Sequence, residues 1–324
     1  MTNDSGKISW HTHARREMRR MICLLALLSM PQLAMAAHHG QKTFTSTDSA
    51  IAALVDAIKS GDKVKLREIL GPHGSKLISS GDPVADKKGR ATFVKAYNET
   101  SKVIPEGDNK AVLVIGNKDW PFPIPLVKNN RAWKFDTAQG EQEILNRRIG
   151  RNEMEAIQVT LAIVDAEKEY AASHLGNTGV PEYAPRITST TGKHDGLYWP
   201  VQSGESPSPL GPLIAAAANE GYSPERSWML KPYRGYLYRI LTAQGKDAPD
   251  GEYEYLVKGK MIGGFAAIAY PARYGASGIK TFIVNHDGVV YEKDMGQDSS
   301  SVAAKISLFN PDASWTKSEI HSDK

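Results

Sequence analysis

The sequence predicts a mixed α+β protein, because helical and strand-like patterns follow one another in blocks. Helical patterns fill residues 44–102, and strand-like alternation follows over 111–136. The order then repeats, with the longest helical pattern at residues 153–174 and strand-like segments across 235–293. Blocks of this kind favour antiparallel sheets over a parallel α/β arrangement.

The first block is expected to hold three helices. Ser46 supplies an N-cap for a helix whose apolar residues recur at helical spacing across 51–58. Asp62 caps a short second helix, which Gly71 ends. A third helix is predicted over residues 90–102.

Strands are predicted to follow these helices. One covers residues 111–115, and a hairpin joins 124–128 to 131–136 through the pair Asn129-Asn130, which suits the positive φ values of a tight turn. Helices followed by an antiparallel sheet that curls over them is the order of a cystatin-like (nuclear-transport-factor-like) roll. The N-terminal part is therefore expected to have that architecture.

The second block begins with the longest predicted helix, residues 153–174. Asn152 with Glu155 resembles a capping box at its start. Its expected apolar stripe is Met154, Ile157, Leu161 and Val164. The glycine- and proline-rich stretch 176–232 follows, with helical character only at 213–219, and its aromatic residues indicate a packed segment.

Strands dominate the remainder of the chain. They are predicted at 235–241, 252–257, 265–270, 280–285 and 289–293. The last two pair around His286-Asp287-Gly288, a turn that glycine closes in the left-handed region. A terminal helix is expected at 299–306. A long helix, an irregular loop and an antiparallel meander together resemble the globular heads of pilin-like proteins.

These patterns divide the chain into four parts. Residues 1–36 form a signal peptide with a polar N-terminal extension, and 44–136 form the first α+β domain. The polar residues 137–152, expected to be helical over 141–148, connect it to the second domain, 153–320. The two domains are expected to be separable, because their hydrophobic patterns are independent of each other.

The N-terminal residues predict export. Met18-Arg19-Arg20 supplies a positive start, residues 21–33 are apolar, and Ala34-Met35-Ala36 is a small-x-small cleavage site. Cleavage is expected after Ala36, with translation starting at Met1 or Met18. The protein is thus predicted to be periplasmic or secreted, with no stable membrane anchor after cleavage.

Composition limits the partners and the chemistry of the mature chain. The whole chain carries a net charge of +4. The predicted signal holds five basic and two acidic residues, so its removal leaves about +1, and no electrostatic argument for nucleic acid binding remains. The single cysteine, Cys23, lies inside the signal. The mature chain then has no thiol nucleophile and no thiolate metal ligand.

Two His-Asp pairs are the most suggestive residues. Neighbouring side chains diverge, so His194-Asp195 is interpreted as a surface turn rather than a base with its orienting carboxylate. His286-Asp287 is placed at a hairpin tip that projects into water, away from any pocket able to tune a base. Neither pair is assigned a catalytic role.

The other motifs have structural interpretations too. Solvated helix faces explain the charged groups, a sheet edge explains the proline-rich segment, and the glycine pairs lack the context of phosphate loops. Three alternatives stay open. The arginines bind an acidic ligand, the proline-rich segment forms a groove for a partner, or the terminal histidines bind copper or nickel weakly. These motifs are Asp165 with Glu169, Arg147 with Arg148 and Arg151, residues 120–125, Gly263-Gly264, Gly275 with Gly278, and His38-His39. No catalytic, cofactor-binding or metal-binding residue is assigned.

Several longer blocks carry a family resemblance. They are residues 120–125, 147–153, 192–200, 208–212, 234–236, 241–245, 261–265, 270–272, 281–285 and 290–294. Together they resemble the exported bacterial family catalogued as domain of unknown function 2950, over about residues 44–320. The resemblance implies a secreted or periplasmic protein of unassigned activity, and it carries over no catalytic or binding residue.

The expected function follows from export and from the absence of a catalytic motif. The protein is predicted to be a non-catalytic binding or structural/assembly protein of the bacterial envelope, without a cofactor. Its partner would be an unknown envelope protein or a small ligand. The alternative is a cofactor-independent hydrolase or other enzyme that uses a cavity of the N-terminal domain.

Overall fold

The computed structural model describes residues 40–175, 179–201, 203–223 and 231–319. Helices and antiparallel sheets are mixed along this chain, which confirms the α+β class. The helices are α1 (Thr47–Ser60), α2 (Lys63–Leu70), α3 (Ser75–Ile78), α4 (Pro83–Glu99), α5 (Thr137–Ser173), α6 (Gly211–Asn219) and α7 (Ser299–Ala303). None of the helices in this described part is both long and apolar enough to cross a membrane.

Local capping fixes the first helices where the sequence predicted them. Ser46 and Ser49 form a capping box at the start of α1, and the Asp62 carboxylate accepts the Val64 and Lys65 N–H groups at the start of α2. The third helix was placed too late, since α4 begins at Pro83, directly after the capping residue Asp82. None of its residues is buried, so the chain gave little apolar periodicity to mark its first turns.

The N-terminal sheet contains β1 (Ser101–Pro105), β2 (Lys110–Ile115), β3 (Trp120–Pro121), β4 (Leu126–Asn129) and β5 (Ala132–Phe135). Their order is β1-β2-β4-β5, with β3 paired to β2, and every pairing is antiparallel. The predicted β4–β5 hairpin is confirmed, but its positive φ values lie at Asn130 and Arg131, because Asn129 still pairs with Ala132. Strand β1 was missed.

Helix α5 is longer than the sequence predicted, because it joins the two expected helices 141–148 and 153–174 into one. It runs without a break from Thr137 to Ser173, so residues 137–152 are helical and the capping box at Asn152 is wrong. The Asp136 carboxylate caps the helix instead, and the Asn152 amide is buried and donates to the Ser277 carbonyl at 2.8 Å. Met154 of the expected apolar stripe is 53% exposed, whereas Ile157 and Val164 are buried.

The C-terminal strands form three sheets. The strands are β6 (Tyr236–Leu241), β7 (Ala243–Gln244), β8 (Tyr253–Glu254), β9 (Leu256–Val257), β10 (Lys260–Met261), β11 (Ala266–Pro271), β12 (Lys280–Asn285), β13 (Val290–Asp294), β14 (Leu308–Phe309) and β15 (Thr316–Lys317). The main sheet has the order β15-β13-β12-β11-β6, and all its pairings are antiparallel. The predicted strand 252–257 is divided between β8 and β9, which belong to different sheets.

Two hydrophobic cores lie on either side of the start of α5. The first packs α1 and α2 against β2, β4 and β5, and the second packs α5 and the 179–223 loop against the main sheet. Residues 40–324 group as one compact unit by their contacts. Separability of the halves at residues 137–152 stays a prediction, which limited proteolysis tests.

Candidate functional site

A cavity of about 400 Å³ lies where the β4–β5 hairpin enters helix α5. Segments far apart in sequence build it: the chain before α1, the turn after α2, the hairpin and the first turn of α5. Its lining residues are Gln41, Leu70, Pro72, His73, Val127, Lys134, Phe135, Asp136, Thr137 and Ala138.

The register of the hairpin determines which side chains reach this cavity. Leu126 pairs with Phe135, and both are fully buried in the N-terminal core. Side chains alternate along a strand, so the neighbouring pair, Val127 with Lys134, lies on the opposite face of the sheet. Asp136, two residues after Lys134, shares that face. The cavity thus lies at the edge of the N-terminal core, since the core residues Leu70 and Phe135 border it together with Lys134 and Asp136.

The two charges on this face lack ionic partners among the described residues. The Lys134 side chain is half-buried and makes no hydrogen bond, ion pair or ring contact with the described residues. The Asp136 carboxylate accepts only the Gln139 N–H, at 3.4 Å, as the cap of α5. Both residues are half-buried and keep contact with water, so an ionic ligand would exchange water for a counter-charge at each of them. The cavity therefore offers one ammonium and one carboxylate to a ligand.

The rim of the cavity is held by polar contacts. The Gln41 amide donates to the carbonyls of Ile69, at 2.9 Å, and Phe135, at 2.6 Å, which ties the chain before α1 to the hairpin. The His73 Nδ1 lies 3.1 Å from the Glu141 Oε2, and 58% of the histidine side chain is exposed. These partners satisfy each other, so they frame the cavity and leave Lys134 and Asp136 to face it.

Sequence reasoning found none of these residues as a site. They belong to four separate segments, and no motif joins them. The available signal was small: a lysine and an aspartate at alternate positions of a strand that ends directly at a helix cap. The turn that brings His73 to the same place depends on the packing of α2 and α3.

The His194-Asp195 pair has the contacts of a turn. The Asp195 carboxylate accepts the Thr190 N–H at 2.6 Å and the Thr190 hydroxyl at 2.8 Å. Partial burial opposes ionisation, but the hydrogen bonds from Thr190 and the nearby Arg186 hold the pKa of Asp195 below its usual value. The His194 ring stacks on Trp199, with 4.2 Å between the ring centroids.

His286 does not project into water as expected. Its side chain is half-buried, its Nδ1 is buried without a hydrogen-bond partner, and its ring packs edge-on against Tyr255 and Phe265 at 6.1 and 6.3 Å. The turn itself is as predicted, with Gly288 at φ 76° and its N–H donating to the Asn285 carbonyl. The His286 N–H donates to the Phe265 carbonyl at 3.1 Å, which continues the β11–β12 pairing and keeps His286 beside Phe265.

The remaining motifs are distributed over the fold and do not converge. Arg148 donates to the carbonyls of Lys76 and Leu77, and Arg147 pairs with Glu143 at 2.5 Å. Strand β3, in the proline-rich segment, pairs with β2, and no described peptide bond is cis. No group of three or more potential metal ligands occurs within the described ranges. His38-His39 lies outside the described residues.

A buried carboxylate connects the two halves of the molecule. Asp82, fully buried, caps α4 through the Val84 and Ala85 N–H groups and accepts the Tyr222 hydroxyl and the Gly235 N–H, each at 2.9 Å. Burial and the adjacent carboxylate raise the pKa of Tyr222 above its ordinary value, so its hydroxyl stays protonated as the donor.

Arg234 continues this junction towards the surface. Its guanidinium contacts Glu155 and Glu220 at 2.5 Å each, and its φ of 52° places a non-glycine residue in the left-handed region. The backbone N–H of Arg234 donates to the Tyr222 hydroxyl at 3.3 Å. The charges of this group are paired within the chain, so the junction stabilises the fold.

The fold and the cavity define the class of this protein: a mixed α+β protein with two packed cores and a polar cavity in its N-terminal half. The chain belongs to the family described as "Protein of unknown function (DUF2950)", whose sequence model matches residues 41–318. Comparison with the curated proteins and with the solved structures finds no match.

Proposed function

We propose that this protein is an exported, non-catalytic binding protein of the bacterial envelope and that the cavity beside the β4–β5 hairpin holds its ligand. The observation that supports binding is the cavity with two charges on its wall, Lys134 and Asp136, that have no ionic partner among the described residues. Pockets that combine apolar walls with a few polar groups are the usual form of small-molecule sites. The partner is then a small ligand, with an envelope protein as the alternative.

Export rests on residues 18–36, which lie outside the described part of the structure. Their charge, apolar run and Ala34-Met35-Ala36 site support cleavage after Ala36 and release into the periplasm or the medium. N-terminal sequencing of the protein from a periplasmic fraction should begin at Ala37. A chain that keeps residues 18–36 and sediments with membranes would contradict export as a soluble protein.

The finer architecture is a second, separate proposal. We infer that residues 44–136 form a cystatin-like roll, because α1 and α2 pack on one face of an antiparallel sheet of the order β1-β2-β4-β5. We also infer a likeness of the C-terminal half to pilin heads, since α5 packs along the strands β11 and β12 of an antiparallel sheet. Both resemblances concern the arrangement of elements and assign no activity.

A ligand screen by thermal unfolding tests the binding proposal. Ala138 is exposed and lines the cavity, so Ala138→Trp should fill it without disturbing the core. Gln139→Trp, one residue further on an exposed position outside the lining, is the matched control. Compounds that stabilise the wild type and Gln139→Trp, but not Ala138→Trp, are expected. Stabilisation that survives in Ala138→Trp would place the ligand elsewhere.

A hydrolase in the same cavity is the second candidate. The observation that favours it is the contact of the His73 Nδ1 with Glu141 at 3.1 Å, because a carboxylate on one imidazole nitrogen can orient the other as a general base. Hydrolysis of a panel of ester and amide substrates that His73→Ala abolishes, with unchanged unfolding, would establish this activity. If the wild type hydrolyses these substrates no faster than His73→Ala does, His73 is not a general base for any substrate of the panel.

A further inference from the structure

The spacing of the two cavity charges points to a dipolar ligand. Lys134 and Asp136 occupy alternate positions at the end of β5, on one face, with their Cα atoms about 6.5 Å apart. They form no ion pair with each other, although no described residue neutralises either of them. A ligand group that enters between them meets a positive charge on one side and a negative charge on the other.

Charge complementarity separates the possible ligands. A metal cation in the cavity would approach Lys134, and a simple anion would approach Asp136, so either would gain one contact and suffer one repulsion. The other titratable residue of the lining, His73, already contacts Glu141, with 3.1 Å between the Nδ1 and Oε2 atoms. A ligand that carries both charges, on two groups bonded to one carbon atom, satisfies Lys134 and Asp136 together.

The rest of the wall suits a short hydrocarbon group. Leu70, Pro72 and Val127 supply apolar surface beside the two charges, and the volume of about 400 Å³ exceeds that of any single amino acid. The cavity thus combines a compact dipolar end with an apolar end.

We propose that this cavity binds a free α-amino acid with an apolar side chain, whose carboxylate contacts the Lys134 ammonium and whose ammonium contacts the Asp136 carboxylate. The inference rests on the proposed function and specifies the ligand of that same cavity. Asp136 keeps its capping role meanwhile, because one carboxylate oxygen accepts the Gln139 N–H and the other remains available.

Titration calorimetry on the purified mature protein tests the proposal with three matched probes. L-leucine carries both charges, 4-methylpentanoate carries only the carboxylate, and isoamylamine carries only the ammonium. We expect leucine to bind at least tenfold more tightly than either single-charge probe, since each charge-assisted contact is worth about tenfold in affinity. Equal affinity of leucine and one single-charge probe would overturn the zwitterion assignment.

Two variants assign the charges to their residues. Lys134→Gln should weaken leucine at least tenfold without weakening isoamylamine, because it removes the contact to a carboxylate and a repulsion of an ammonium. Asp136→Asn should weaken both, while its amide oxygen still caps α5. Lys128→Gln, on the same hairpin but over the Trp133 ring, is the control and should change nothing. Unchanged leucine affinity in Lys134→Gln would overturn the proposal.

The outcomes distinguish this inference from the proposed function. If leucine fails to bind while another compound is lost specifically in Ala138→Trp, the cavity is a binding site and the amino-acid assignment is wrong. If no compound of the screen depends on the cavity, both statements fail.

Discussion

Replacing the buried carboxyl group of Glu167 by an amide gives a sharp test of the energetics of α5. Glu167 is fully buried in the C-terminal part of the helix, and its Oε2 accepts the Ala184 N–H at 2.8 Å. Its Oε1 is buried and has no hydrogen-bond partner among the described residues. Burial raises the pKa of this carboxyl well above its ordinary value of 4.5, although the Ala184 hydrogen bond opposes the shift.

The sign of the effect follows from the two protonation states. Above pH 4.5 the unfolded chain releases the proton of Glu167, whereas the folded chain retains it up to its raised pKa. The unfolded state then binds fewer protons, so the free energy of unfolding falls as pH rises, by about 1.4 kcal/mol per unit. Between pH 4.5 and 7 this loss has a ceiling of about 3.4 kcal/mol.

Glu167→Gln removes this titration and keeps an oxygen for the Ala184 N–H. The new amide adds a buried donor, whose cost of about 1–3 kcal/mol does not depend on pH. The quantity to measure is therefore the difference in free energy of unfolding between variant and wild type at several pH values. It should shift in favour of the variant by up to about 3 kcal/mol from pH 4.5 to 7.

Urea unfolding followed by circular dichroism supplies these free energies. Glu169→Gln, two residues away on an exposed position of the same helix, is the matched control and should run parallel to the wild type. Parallel curves for Glu167→Gln and the wild type across this interval would refute the reasoning, because they would show that Glu167 ionises alike in the folded and unfolded chains.

Four further substitutions test the packing described above, each by urea unfolding. Asp82→Ala should lower the free energy of unfolding by about 3 kcal/mol, because it leaves buried donors in both halves of the chain without an acceptor. A loss below about 1 kcal/mol would mean that this carboxylate does not hold the junction together. Gly140→Ala should cost about 1–3 kcal/mol, since its Cβ would lie 2.4 Å from the Pro123 carbonyl oxygen, while Gly150→Ala, in open space on the same helix, should stabilise by about 0.5–1 kcal/mol. His286→Ala should cost about 1 kcal/mol through lost ring packing, where an exposed hairpin tip would have cost less than about 0.5 kcal/mol.

Features that depend on a few neighbouring residues followed from the sequence. The caps at Ser46 and Asp62, the β4–β5 hairpin and the turn closed by Gly288 each require particular residue types within a short segment. A cap needs a side-chain oxygen, and a tight turn needs residues that tolerate positive φ. The mixed α+β class follows in the same way, because it reflects the period of each hydrophobic pattern.

Features that depend on distant segments were decided by the tertiary structure. Asn152 resembles a cap in sequence, yet the Ser277 carbonyl satisfies its amide, so α5 continues through it. One side of the His286 ring is buried, because the 253–265 segment brings Tyr255 and Phe265 against it.

The cavity shows the same division between sequence and structure. The sequence by itself determines that Lys134 and Asp136 share one face of a strand, because side chains alternate. Only the packing of α2 and the following turn brings Leu70 and His73 opposite them and encloses the space. The partial burial of Lys134 and Asp136 and their lack of ionic partners depend on these distant segments, so no local sequence pattern predicts them.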